Sequence, residues 1–227
     1  MSTAISEIRT QPTRLARIWD IPTRAIHWAI ALLIPFLWWT HKTDHMDWHI
    51  IAGIAASALL VFRVFLGFFG AETSRFSSFL RGPRSVWNYL RSRGNEHKAG
   101  HNPLGGWSVA AMLGLLILQT GLGLFASEED GLDAGPLADF VTFDQTRLAS
   151  QLHAILFDGL LVLIGVHIAA ILLYQLRGDN LVGPMITGRK RLSDAIKSPV
   201  FASGWILALG LALAVATFGL LWRLEDF

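Results

Sequence analysis

The sequence predicts an all-α protein that crosses a membrane as a helical bundle, and three observations carry that prediction. Of its 227 residues, 52% are hydrophobic and only 16% are charged, a balance that few soluble domains of this size show. Five apolar runs, at 24–40, 48–69, 105–125, 151–176 and 200–222, are long enough or nearly so to cross hydrocarbon as helices, which takes about 20 residues. Nine tryptophans and fourteen phenylalanines supply rings that favour the lipid–water interface. No water satisfies peptide groups inside a bilayer, so apolar runs of this kind fold as helices.

The first run, 24–40, is short and contains Pro35, which is expected to kink it. Residues 1–23 are polar, and no small-residue cleavage pattern follows the first run, so that run reads as a retained helix rather than a signal. The second run opens at His49. Ahead of the third, Asn102 and Pro103 form an N-cap and first-turn pair. The fourth contains HAILFDGLLVLIGVH (153–167), in which two histidines and Asp158 interrupt an otherwise apolar stretch. The fifth, 200–222, has no histidine and no ionisable residue, so it reads as a peripheral helix for packing or for docking a partner. Between the second and third runs, PRSVWNYLRSR (83–93) reads as a short amphipathic helix. It either lies on the membrane through Val86, Trp87 and Leu90, with its arginines at lipid phosphates, or connects in solvent.

Orientation follows from the cations. They cluster before the first run (Arg9, Arg14, Arg17, Arg24), in the loop 70–104 (Arg75, Arg81, Arg84, Arg91, Arg93, Lys98) and in the loop 177–199 (Arg177, Arg189, Lys190, Arg191, Lys197). The loop 41–47 holds only Lys42, and 126–150 holds Arg147 among Glu128, Glu129, Asp130, Asp133, Asp139 and Asp144. All three cation-rich segments fall on one side, which the positive-inside rule makes cytoplasmic. The N-terminus is then expected inside and the C-terminus outside. The absence of cysteine excludes disulfides, iron–sulfur clusters and thioether-linked haem, while leaving histidine sites open.

Of eight histidines, four lie on or just inside the spans: His27, His49, His153 and His167. Ionisable groups there are costly and usually functional. Fourteen residues separate His153 from His167, about 21 Å along a helix with only about 40° of rotation, so both rings share a face at two depths. That distance is too long for one shared ion. His27 opens the first run on the inner side and His49 the second on the outer side, so the four sort by depth into His27 with His167 and His49 with His153. Paired imidazoles on facing helices suit bis-histidine haem ligation. Hydrogen-bonded packing or a proton pathway are the competing readings. Gly53, one turn after His49, leaves room for a flat ring; Gly159 and Gly165 lie nearby on the fourth run, where glycine is also common in packed membrane helices. Arg63 lies fourteen residues after His49 and is expected at the inner level, either facing haem propionates or snorkelling to the interface. Asp158 sits at the depth of Gln119 and Thr120. Either it bonds to them across helices, or it accepts protons beside the outer site. His41, His45 and His49 follow an i, i+4, i+8 spacing that would suit an external metal, but the first two read as loop residues. His97 and His101 are expected in the cytoplasmic loop facing solvent or headgroups, with His101 near enough to the inner site to join a quinone pocket.

Several pieces, taken in order, resemble the superfamily of bacterial cytochrome b561 and the b-type cytochromes of nickel–iron hydrogenases, which includes formate dehydrogenase membrane subunits. They are IWDIPTRAIHW (18–28), HIIAG (49–53), FRVFLGFFG (62–70), RFSSFLRGPRSVWNYLR (75–91), GHNPLGG (100–106), the His153/His167 pair and GDNLVGPMITGRK (178–190). The resemblance implies a four-helix core at 24–190 between the N-terminal segment 1–23 and a linker and fifth helix at 191–227. It implies two non-covalent b-type haems on His27, His49, His153 and His167, and electron transfer in the bacterial inner membrane between quinone and a redox partner. That partner is expected to be a hydrogenase-like subunit or a c-type cytochrome. Membrane lipid is the surrounding partner, and no nucleic acid is expected. A proton or metal transporter using the same histidines, or a membrane anchor for a redox enzyme, are the alternatives.

Overall fold

The computed structural model describes residues 13–91, 100–128, 133–194 and 196–225. Arg9, Arg93, His97, Lys98, Glu129 and Asp130, which entered the charge and histidine readings, lie outside the described residues.

In chain order the elements are β1 (Thr13–Arg17), α1 (Ile21–Lys42), α2 (Met46–Phe69), the short α3 (Phe76–Phe79), α4 (Pro83–Arg91), α5 (Pro103–Gly123), α6 (Phe143–Leu176), α7 (Val182–Thr187), β2 (Arg189–Ser193) and α8 (Gly204–Glu225). Helices α1, α2, α5, α6 and α8 are each long and apolar enough to cross a membrane, one for each expected run. Asp20 caps α1 by accepting from the Thr23 amide at 3.1 Å, and the helix continues through Pro35. Asn102 caps α5, its side-chain oxygen accepting from the Gly105 amide at 2.7 Å, with Pro103 as the first helical residue.

Helix α6 starts at Phe143, well before the apolar run does. A capping box at Thr142 and Gln145 fixes that start, and Asp144, Gln145, Arg147 and Gln151 make the first turns polar. Helical hydrogen bonds need no lipid, so hydropathy locates the part of α6 inside the membrane and misses the turns beyond it.

Helix α2 is the centre of the bundle, packing against α1, α5 and α8, while α6 packs against α5. Ile26, Ala58, Phe62, Leu66 and Ala214 form one buried cluster, so α8 joins the core through the outer flank of α2.

The sequence reading contains no strand, yet β1 and β2 form a two-stranded antiparallel sheet with Arg14 opposite Leu192 and Ala16 opposite Lys190. Ala16, Ile18, Trp19 and Leu192 bury one face of it. Gly188 turns the chain from α7 into β2 at φ 79°, and its carbonyl accepts from the amides of Ile18 (2.8 Å) and Trp19 (3.2 Å). A left-handed φ of this kind favours glycine.

The cation-rich segments knit together at one end of the bundle. Thr73 Oγ1 donates to the Ile18 carbonyl at 2.8 Å, and the Glu72 amide donates to the Val200 carbonyl at 2.8 Å. The Tyr89 hydroxyl meets that of Tyr174 at 3.1 Å, and Asn102 Nδ2 donates to the same Tyr174 oxygen at 2.8 Å. In α4, Tyr89 is therefore buried, while Trp87 stands exposed beneath the Arg91 guanidinium at 5.0 Å.

Candidate functional site

The site is built on the face that α6 turns toward α1 and α2. His49 begins the second turn of α2, and its ring centroid lies 6.3 Å from that of His153, with the planes nearly perpendicular at 77°. Each ring is held from behind by a carbonyl. His49 Nδ1 lies 2.9 Å from the Leu37 oxygen, with Thr40 Oγ1 at 3.3 Å, and His153 Nδ1 lies 2.8 Å from the Gln119 oxygen. A carbonyl only accepts, so both Nδ1 atoms carry the proton and both Nε2 lone pairs are free. That second-shell arrangement is the one that orients an imidazole toward a metal. Metal–imidazole bonds of about 2.0 Å and ring half-widths of about 1.1 Å place two rings sharing one metal about 6 Å apart, close to the separation seen here. The donor set therefore fits a bis-histidine haem. Gly53 faces the same region, and no atom lies within 4 Å of where its Cβ would stand.

Gly123, at the end of α5, was not singled out in the sequence. A Cβ there would stand 2.9 Å from His153 Cε1 and 3.2 Å from its Nδ1, so the bare backbone is what admits the ring. Glycine at a helix end looks like any other stop signal, and only the approach of α6 reveals its second duty.

At the other level His27 and His167 lie within electrostatic reach of each other. The Nδ1 of His27 is buried and has no hydrogen-bond partner among the described residues, so this pair lacks the carbonyl support of the first. A third ring joins it. Contrary to the expected solvent or headgroup position, His101 packs edge-on to Trp19 at 4.8 Å and against Phe79 at 5.0 Å, and its Nδ1 is buried. Burial, then the nearby Arg63, His167 and His27, push its pKa down to about 4, so the ring is neutral at pH 7.

Arg63 is buried and does not snorkel. Its Nη1 donates to the Ser74 carbonyl at 3.4 Å, its guanidinium stands 5.8 Å from the Phe76 ring centre, and Asp20 is within electrostatic reach. Arg63, Asp20 and His101 thus gather polar atoms behind the His27/His167 level.

The expected bond from Asp158 to α5 does not form. Asp158 is exposed, Thr120 Oγ1 turns to its own helix at Ile117 (3.4 Å), and Gln119 Oε1 is buried without a partner among the described residues. At about 100° per residue, Asp158 points about 140° away from His153, so it faces neither α5 nor the histidines. His41 lies 5.9 Å from His49 ring to ring, and His45 stacks on Trp39 at 5.5 Å. Among the described residues no three histidine, cysteine or acidic side chains gather as a metal site.

A family model described as prokaryotic cytochrome b561 matches residues 18–188. No curated protein and no solved structure matches the chain.

Proposed function

The chain belongs to the prokaryotic cytochrome b561 family, and from that premise we propose that it holds two haems between quinone and a redox partner protein. Family membership makes it a membrane b-type cytochrome that transfers electrons. The proposal adds that His49 with His153 would hold one haem iron, and His27 with His167 the other. It further adds that the chain lies in the bacterial inner membrane with its cation-rich end in the cytoplasm.

The observation that carries this reading is the outer pair, two facing imidazoles 6.3 Å apart whose Nδ1 protons are both committed to carbonyls. Haem, when bound, supplies the one-electron chemistry. His153 and His167 set two binding levels about 21 Å apart on one rigid helix. Leu37 and Gln119 fix the tautomer of the outer ligands, and Gly53 and Gly123 keep side chains out of their way. Arg63 supplies positive charge at the inner level and the neutral His101 ring adds polar ring nitrogens beside it, an arrangement suited to carboxylates there. With two protein ligands per iron no position is left for oxygen, which favours relay over oxygen activation. At the outer pair, the commitment of both Nδ1 protons to carbonyls favours redox work over proton transport.

The purified chain is expected to give about two haems by pyridine haemochrome assay. His153→Ala and His27→Ala are each expected to give about one, with protein and helix content retained. Two haems in either variant would overturn the ligand assignment, and one haem in the unaltered chain would overturn the two-site reading.

A further inference from the structure

Asp158 poses a physical problem that the histidine sites do not absorb. It lies about a third of the way from His153 to His167, on the face of α6 opposite them, and it is exposed without a hydrogen bond among the described residues. From Ala154 through Leu161, Gly165, Ala169 and Leu172 that face is exposed and its side chains are unable to hydrogen-bond, while Gln151, two turns before Asp158, marks its polar end. Helix α6 meets α5 on another side, where Gly159 approaches Leu115. Intramembrane acids are rare, and those that occur turn to a bundle interior or pair with an opposite charge. This one does neither among the described residues.

We propose that the outward face of α6 docks a transmembrane helix of a partner protein that carries a lysine or arginine within the membrane at the depth of Asp158. Charge complementarity selects that occupant. Hydrocarbon offers Asp158 no donor, and a second copy inserted in the same orientation would set Asp158 against Asp158, acid against acid. The spacing of the face matches what a helix needs. Residues 154, 158, 161, 165, 169 and 172 follow the threes and fours of a helix–helix seam, and Ala154, Gly165 and Ala169 let a second backbone come close. The acid then acts as the register mark, since only one depth along the seam satisfies it. This face is independent of haem number and ligation, so either reading can fail without the other.

The test uses the haem-loaded chain in liposomes, labelled at a single introduced cysteine, Asp139→Cys. Two acceptor-labelled peptides are compared by energy transfer: a polyleucine transmembrane helix with one lysine at the depth of Asp158, and the same helix with leucine there. The lysine peptide is expected to associate at least tenfold more tightly. Asp158→Leu should abolish that preference, Asp158→Glu should keep it, and the haem spectrum should not change in either. Equal association of the two peptides, or a preference that survives Asp158→Leu, overturns the proposal. So does a homodimer of the chain that Asp158→Leu dissolves. The two-peptide comparison on Asp158 itself decides the matter even if the leucine variant does not assemble.

Discussion

At the scale of single residues, the histidine at 153 depends on a glycine thirty positions earlier. Gly123→Val would drive a branched side chain into a ring whose Cε1 stands 2.9 Å from the Cβ position, breaking the bond from Nδ1 to the Gln119 carbonyl. One haem of the two is expected to be lost or to shift its midpoint potential while the other titrates unchanged. A redox titration identical to that of the unaltered chain would refute this. Gly53 makes the complementary case. Its Cβ position is open, so Gly53→Leu should leave the helices intact, and the higher helix propensity of leucine would favour α2 slightly, by about 0.5–1 kcal/mol. The added side chain should nevertheless lower the haem count by about one, while circular dichroism stays unchanged. Gly53 was legible because it lies one turn from its histidine on the same helix. Gly123 was not, because its partner arrives from another helix. His101 escaped for a related reason. A histidine before a helix cap reads as a loop residue until Trp19 and Phe79 are seen to enclose it.

At the scale of elements, α8 is more than an appendage. Gly210 packs so closely on α2 that a Cβ would stand 2.6 Å from Phe65 Cδ1 and 2.7 Å from Phe62 Cε2. Phe62 and Ala214 belong to the main buried cluster, so those rings have little space to yield. Gly210→Leu is therefore expected to cost about 1–3 kcal/mol by overpacking. The loss should appear as a lower thermal midpoint in detergent, and an unchanged midpoint would show that the two helices separate freely. The start of α6 offers a milder change. Thr142→Ala removes a capping box and should cost about 1 kcal/mol. That cost would be detected as faster amide exchange in residues 143–147, with the exchange of the apolar turns unaffected. Composition located the membrane part of α6 and was silent on these polar turns, whose stability comes from capping and contacts such as Ser150 Oγ with the Ser127 carbonyl at 2.8 Å.

At the scale of the whole molecule, the described cation-rich segments meet at one end, where β1 pairs with β2 and Tyr174 receives both Tyr89 and Asn102. The chain has no cysteine, so single introduced thiols report sidedness cleanly. In intact cells a membrane-impermeant maleimide is expected to label Asp44→Cys, in the loop after α1, and to leave Arg191→Cys on β2 untouched until the membrane is opened. The reverse pattern would invert the proposed orientation. By itself the sequence determined the five spans, the segments that share a side and the two depths of the four histidines. Hydrophobic transfer, the cost of moving charge across lipid and the regular rise of a helix all act on local composition and spacing. Only the tertiary structure decided that Asp158 faces outward, that His101 and Arg63 turn inward, and that β1 finds β2. Those outcomes depend on how each helix is rotated against its neighbours and on pairing between segments at opposite ends of the core, and neither is written in any one stretch of chain.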